Sequence, residues 1–227
     1  MAKRIKNNDA DNTMKNWREG DLIQTFKLNR IITEQTPLMV EWLDVQMPEL
    51  NIPEQYDFDR DLNKAQKYIA GWNEEDLKMK FISTILKLGH LMDDDVVIGY
   101  FDKIISATVE DIKLTVKSDF MLATGVLDVV TTPYFHFQEY KPYKNPSGDS
   151  MAQLLEAFLI AQASNKNDKP LYGVDIMGAN WRFVIMEGKN YCISKSFDSV
   201  DKVDLLNIIA ILRKFKFILE TRLIAIN

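Results

Sequence analysis

The sequence predicts an α+β fold in which helices cover both faces of a mixed central sheet, an α/β/α sandwich. Three observations support this prediction. Residues 73–92 have the apolar period of an amphipathic helix, and residues 96–140 consist of short runs typical of strands. A helix is then expected over residues 150–164, strands over 171–196, and a final helix over 202–223. The alternation of helical and strand-like segments indicates layers that pack on one sheet.

The helix over residues 73–92 is the clearest single element. Asn73 can cap it, and the acids that follow suit the positive end of the helix dipole. Its apolar side is formed by Leu77, Phe81, Ile82, Ile85, Leu86 and Leu88. The strand signals after it fall at 96–101, 104–109, 112–117, 120–123 and 134–140, with turn residues over 125–133.

The second half of the chain is divided by clear turn chemistry. Pro146, Ser147, Gly148 and Asp149 break the chain, and Asp149 can cap the helix that starts near Ser150. Short turns at 178–180 and 187–190 then separate three predicted strands. These strands are expected at 171–177, 181–186 and 191–196.

The N-terminal part is expected to be mostly helical and to form an extension. Residues 1–12 are polar and predicted to fray, while residues 13–72 carry apolar faces and are interrupted by Pro48 and Pro53. A short helix is expected over 57–70. The predicted organisation is therefore a helical extension, residues 1–72, followed by a core domain, residues 73–227.

Composition excludes several classes of protein. The chain has 227 residues and is 46% hydrophobic, which is enough for a substantial core. A single cysteine, Cys192, excludes an internal disulfide framework, and two histidines are too few for a histidine-rich metal site. The net charge of −5 argues against a protein that coats DNA. The sequence also lacks a glycine-rich phosphate loop, the motif that would indicate a nucleotide-binding protein.

A cytoplasmic location is expected. The basic stretch at residues 1–6 is not followed by an apolar segment, so it does not resemble a secretory signal. A run of about 18 apolar residues, as a membrane span requires, does not occur in the sequence.

The strongest chemical signal is Glu139-Tyr140-Lys141. Acid-x-Lys triplets are common in a chain with 33 acidic and 28 basic residues, and three others start at Asp76, Asp111 and Glu187. Position distinguishes this triplet, because it ends an apolar strand and its two charged side chains project to the same face. Charged groups at the end of a buried strand need a partner or a function.

Hairpin geometry suggests a second acid beside Glu139. A hairpin centred near residue 129 places Asp119 opposite Glu139, where side chains lie about 5 Å apart. Asp128 is the rival acid, since a bulge or a shorter hairpin would change the register. Two close carboxylates repel each other unless a cation neutralises them, and oxygen ligands suit Mg²⁺ or Mn²⁺. With Lys141 to orient or activate a water molecule, the cluster is typical of phosphodiester hydrolysis.

The pattern resembles the PD-(D/E)XK, or restriction-endonuclease-like, nuclease superfamily. Asp119 and Glu139-Tyr140-Lys141 match its central motif, although the proline that often precedes the aspartate is absent. The helix over 73–92 looks like the first core helix of nuclease domains in type I restriction subunits and related uncharacterised bacterial proteins. Gln153 resembles a helix glutamine that supports the lysine, but Ala157 stands where a tyrosine is expected.

The resemblance implies a restriction-endonuclease-like core and a Mg²⁺-dependent DNA nuclease in restriction, defence or repair. Asp119, Glu139 and the Tyr140 carbonyl would bind the metal, and Gln153 would hold Lys141 or the substrate. A helix acid would also reach the metal; Glu74 is the better match and Glu75 stays open. A homodimer, or association with other restriction-type subunits, is a further expectation.

Two other functions are compatible with the sequence. One is a catalytically inactive module on the same fold that binds nucleic acid or a protein partner, and the other is a hydrolase of a different phosphate ester. The module would use a basic surface, which comprises Lys113, Lys117, Lys141, Lys144, Lys166 and Lys169.

Overall fold

A computed structural model describes residues 16–93, 97–144 and 146–224, so the predicted frayed segment 1–12 lies outside the described residues. The helices are α1 (Glu19–Phe26), α2 (Pro37–Leu43), α3 (Ile52–Tyr68), α4 (Glu74–Leu77), α5 (Ser83–Leu88), α6 (Ser150–Asn165) and α7 (Lys202–Ile218). The strands are β1 (Asn29–Ile31), β2 (Ile98–Val109), β3 (Ile112–Val126), β4 (Val129–Lys141), β5 (Leu171–Met177), β6 (Asn180–Glu187) and β7 (Asn190–Asp198).

The seven strands form one mixed sheet in the order β1-β7-β6-β5-β4-β3-β2. Strands β4 and β5 pair in parallel, as do β1 and β7, and the remaining neighbours are antiparallel. The parallel β4–β5 pair requires a crossover, which α6 provides. The mixed sheet and its flanking helices confirm the predicted α+β architecture.

Two apolar cores lie on opposite faces of the sheet. The first contains Phe120 and Tyr140 from the sheet with Phe81, Leu86 and Phe215 from the helices. The second is dominated by α6 and α1, and its members include Leu22, Phe26, Met121, Phe137 and Phe158. Within the described residues, no helix combines the length and apolarity needed to cross a bilayer.

The described part of the N-terminal segment is mostly helical, as predicted, but it also contains a strand. Strand β1 was not predicted; it pairs in parallel with β7 along the edge of the sheet. Helix α3 starts at Ile52, earlier than expected, because Asn51 accepts a hydrogen bond from the Glu54 amide while the Glu54 side chain accepts one from the Asn51 amide. Trp42 of α2 and Phe58 of α3 are buried in the first core. The division at residue 72 stays a prediction.

The helix predicted over residues 73–92 is present, but a π-helical turn divides it. That turn covers Lys78–Ile82 and lies between α4 and α5. Asn73 caps α4, as predicted, by accepting a hydrogen bond from the Asp76 amide. A second π-helical turn, Leu219–Leu223, ends the helix expected over residues 202–223. Asp149 caps α6 through the Ala152 amide, also as predicted.

The β3–β4 hairpin reaches the predicted register by an unexpected route. Its turn is tight, since Val126 pairs with Val129, so the hairpin is centred before residue 129. Irregularities on both sides of Ala123 then insert additional residues in β4, including Pro133, which has no amide hydrogen for a strand ladder. Beyond them Phe120 pairs with Gln138, the register that sets Asp119 across from Glu139.

Candidate active site

The end of β4 carries Glu139 and Lys141, and it is held between two other strands. Both residues are buried, with Lys141 6% exposed and Glu139 fully excluded from solvent. In the parallel pairing with β5, Glu139 lies beside Asp175 and Lys141 beside Met177. The sheet therefore fixes both backbones where the strand leaves the core.

The Asp119 side chain is anchored to this strand end by a hydrogen bond from the main chain. The Tyr140 amide donates to Asp119 Oδ2 over 2.7 Å. The alternation of faces along β3 is interrupted here, because Val116 and Met121, five residues apart, both belong to the second core. On β2 the opposing residue is Asp102, whose φ of 55° marks an irregular strand. This irregularity re-aims side chains near Asp119.

Glu139 is the most unusual group of the site. Neither of its carboxylate oxygens accepts a hydrogen bond, although both are buried. Burial, followed by the negative charge of Asp119, raises the pKa of Glu139 well above its ordinary value, and Lys141 opposes this shift. A buried carboxylate without donors is rare, and it indicates that a proton or a cation belongs beside it.

Helix α4 contributes Glu74 rather than Glu75. Glu74 Oε2 lies 3.8 Å from Lys141 Nζ, and its side chain is 35% exposed. Burial and the charge of Asp119 raise the pKa of Glu74, while Lys141 lowers it. The Glu75 side chain is 74% exposed and lies 4.0 Å from Lys78. The structure therefore brings Glu74 to the strand end and leaves Glu75 at the surface.

A cleft of about 490 Å³ opens at this strand end. Asp119, Lys141, Glu74 and Gln153 line it, but Glu139 does not reach its surface. The cleft also meets the start of α1 and the loop before α6, through Asn16, Trp17, Arg18, Ser147, Gly148 and Asp149. It is thus the space in which a substrate would meet the predicted residues.

Gln153 is in the cleft wall, but its side-chain oxygen does not hold Lys141. The Oε1 atom of Gln153 is buried and has no hydrogen-bond partner. This oxygen can accept a hydrogen bond from a group that enters the cleft. Of the two roles predicted for Gln153, a contact with the substrate is the one that stays open.

The side chains of Asp128 and Tyr140 lie away from the pair of carboxylates formed by Asp119 and Glu139. Asp128 lies in the hairpin turn, where its carbonyl accepts a hydrogen bond from Lys103, and it does not line the cleft. The Tyr140 ring is buried in the first core, and its hydroxyl donates to Gln138. The predicted metal contact of the Tyr140 carbonyl stays a prediction.

Two polar clusters lie near the site, and apart from Lys117 their residues were not predicted from the sequence. Asp175, 1% exposed, accepts hydrogen bonds from Nε and Nη2 of Arg182, while its Oδ1 atom has no partner. Lys78 and Lys117 both contact Asp102, across from Asp119. No short motif links these residues, since the pairs lie on different elements. Of the predicted basic surface, only Lys117 and Lys141 line the cleft.

The donor chemistry suits a hard divalent cation, although no complete metal site is preformed. Among residues 16–93, 97–144 and 146–224, no three His, Cys, Asp or Glu side chains are arranged to hold a metal ion. Asp119 and Glu139 supply carboxylate oxygens, and those of Glu139 accept no hydrogen bond in the protein. The metal site predicted from the sequence therefore stays a prediction, with Asp119 and Glu139 as the carboxylates that it would use.

No protein-family model matches the chain. No curated protein matches its sequence.

Proposed function

We propose that this chain is a Mg²⁺-dependent nuclease that hydrolyses DNA phosphodiester bonds on a restriction-endonuclease-like core, with Mn²⁺ as an alternative ion. The observation that carries the proposal is Glu139, a fully buried carboxylate with no hydrogen-bond donor, beside Asp119 at the end of β4. A structural carboxylate at that depth would be expected to have partners. Lys141 and Glu74 next to it supply the remaining groups of the predicted motif.

Each residue has a distinct role in this proposal. A divalent ion, when bound, would lower the pKa of a water molecule and stabilise negative charge on the phosphate. Asp119 and Glu139 would hold that ion, and the hydrogen bond from the Tyr140 amide keeps Asp119 in place. Lys141 lies in the cleft wall, where its ammonium would orient water or contact the phosphate. Glu74 holds Lys141 and shares the negative charge of the site.

The proposal is tested by cleavage of duplex, single-stranded and branched DNA with and without Mg²⁺ or Mn²⁺. Glu139→Ala should lower the rate about 10³-fold, because metal stabilisation is worth several kcal/mol and each tenfold corresponds to about 1.4 kcal/mol. Lys141→Ala should lower it about 10²-fold or more.

Asp128→Ala and Glu75→Ala are the matched controls, since they remove the rival acids outside the cleft, and both should keep full activity. Absence of metal-dependent cleavage on all three DNA forms would overturn the nuclease proposal. Cleavage that survives Glu139→Ala and Lys141→Ala would overturn the site assignment.

A catalytically inactive module that binds nucleic acid or a protein partner is the alternative. The observation that favours it is the position of Glu139, which is fully buried and does not line the cleft. A metal ion would reach Glu139 only after movement of the side chains above it. DNA binding without cleavage would support the module. A cytoplasmic location and association with restriction-type subunits stay predictions from the sequence.

A further inference from the structure

Two lysines share one carboxylate at the edge of the candidate site. Lys78 Nζ lies 3.1 Å from both carboxylate oxygens of Asp102, and Lys117 Nζ lies 2.8 Å from Asp102 Oδ1. Burial opposes ionisation of Asp102, but the hydrogen bonds from both lysines outweigh it and lower its pKa. Asp102 is therefore a carboxylate with one more cationic partner than its charge requires.

The two lysines differ in their access to the cleft. The Lys78 side chain is 5% exposed, whereas that of Lys117 is 48% exposed and lines the cleft with Asp119 and Lys141. An exposed ion pair contributes little free energy, typically less than about 1 kcal/mol. Lys117 can therefore turn toward an anion in the cleft, while Lys78 keeps Asp102 paired.

The cationic side chains that line the cleft are the groups that such an anion would meet. They are Arg18, Lys117 and Lys141. The Lys141 side chain is 7% exposed and lies beside Glu74, whereas that of Lys117 is 48% exposed. Lys117 is therefore the lysine of the cleft that a phosphodiester can reach most easily.

We propose that Lys117 binds a phosphate group of the DNA strand that lies in this cleft, next to the phosphate that is cleaved. The proposal rests on the proposed function, because it takes DNA as the ligand of the cleft. Lys117 lies on β3, two residues before Asp119, and both side chains line the same cleft. Lys117 is thus a binding residue, distinct from Lys141.

The test is DNA binding rather than cleavage. A fluorescein-labelled 30-base-pair duplex and a single strand of the same sequence are titrated with the full chain carrying Glu139→Gln, which removes cleavage from the measurement. Lys117→Gln in this background should weaken binding roughly tenfold, the effect of one charge-assisted hydrogen bond. It should also reduce the slope of log affinity against log salt by about 0.9 on duplex DNA, or about 0.7 on the single strand.

Lys189→Gln is the matched control, because Lys189 is a similarly exposed lysine, 45%, paired with one carboxylate, Glu110, outside the cleft. It should leave affinity and salt slope unchanged, and Lys117→Arg should restore both. If Lys117→Gln lowers the melting temperature, Lys117→Ser is used instead, because it also removes the positive charge.

Equal effects of the Lys117 and Lys189 substitutions, an unchanged salt slope, or absence of binding to both DNA forms would overturn the assignment of Lys117. Failure of the nuclease proposal has a different signature. In that case the wild-type chain binds DNA through Lys117 but does not cleave it with Mg²⁺ or Mn²⁺.

Discussion

Asp61 and Glu139 are both carboxylates almost excluded from solvent, at 4% and 0% exposure, yet their surroundings differ completely. Asp61 accepts two hydrogen bonds from Arg60 and one from Thr84, with Lys64 at 3.4 Å. Glu139 accepts none. The difference appears in their ionisation. Burial opposes the negative charge of both, but the partners of Asp61 lower its pKa, whereas that of Glu139 is raised.

The comparison separates a structural acid from a candidate functional acid. Asp61 joins α3 to α5 through Thr84, and its charge is neutralised inside the protein. Glu139 is also placed by the sheet, but its carboxylate oxygens accept no hydrogen bond, and burial together with the charge of Asp119 raises its pKa. A buried acid whose pKa is strongly raised by burial and by a specific charged neighbour is a candidate functional residue. Three measurements test whether this contrast is real.

The largest expected effect is stabilisation by metal. Mg²⁺ at 100 times its dissociation constant should raise the free energy of unfolding of the wild-type chain by about 2.7 kcal/mol. Glu139→Gln should lose most of this gain, because a neutral amide is a poor ligand for a hard cation. Urea denaturation with and without Mg²⁺ measures both values. Asp61→Asn is the control and should keep the response; an equal gain in Glu139→Gln would show that the ion binds elsewhere.

A smaller effect is expected when Asp61 is removed. Asp61→Ala should lower the free energy of unfolding by about 2 kcal/mol, since it leaves the Thr84 hydroxyl and the Arg60 guanidinium without their acceptor. Thr84→Val, which deletes a single hydrogen bond, should lose about 1 kcal/mol. Urea denaturation at pH 7 gives both numbers. A loss below about 0.5 kcal/mol for Asp61→Ala would mean that the bond network does not stabilise the helix pair.

The smallest expected effect is the change of the free energy of unfolding with pH. Each ionisable group changes it by at most about 1.4 kcal/mol per pH unit. Because folding raises the pKa of Glu139, its contribution is complete below the unfolded pKa, about 4.3, and is lost as pH rises through the folded pKa. Asp61 acts in the opposite way, because folding lowers its pKa. Its contribution to stability is present above the unfolded pKa, about 3.9, and is lost as pH falls through the folded pKa.

Without metal, Glu139→Gln should therefore become more stable relative to the wild type as pH increases from 4 to 8. Asp61→Asn should become less stable relative to the wild type as pH increases from 2 to 5. Thermal unfolding in EDTA across this range checks both signs. Parallel pH profiles for wild type and Glu139→Gln would show that Glu139 is already ionised and paired.

The sequence predicted the fold well where the signal is local. Strand β5 and the caps at Asn73 and Asp149 agree with the structure, because apolar periodicity and capping depend on neighbouring residues. It was less informative where a distant partner decides. Strand β1 has only three residues and forms because β7 lies beside it. The π-helical turn at Lys78–Ile82 likewise has no short sequence signal.

The same division holds within the candidate site. The Asp119–Glu139 register came from hairpin geometry, although the hairpin reaches it through a tighter turn and irregular pairing around Ala123. The neighbours supplied by other elements were not predictable. Asp175 lies beside Glu139 only because β5 pairs in parallel with β4, and Lys78 reaches Asp102 only because α4 and the turn after it pack near β2.

The sequence by itself determined α6, the strands β5 to β7 and the acid-x-Lys motif, since each depends on the spacing of residues along the chain. Only the tertiary structure decided that Glu74 rather than Glu75 meets Lys141, that Glu139 has no donor, and that Lys117 lines the cleft. These properties depend on burial and on contacts between separate elements. Desolvation and charge pairing act through space, so their outcome was set only when the chain was folded.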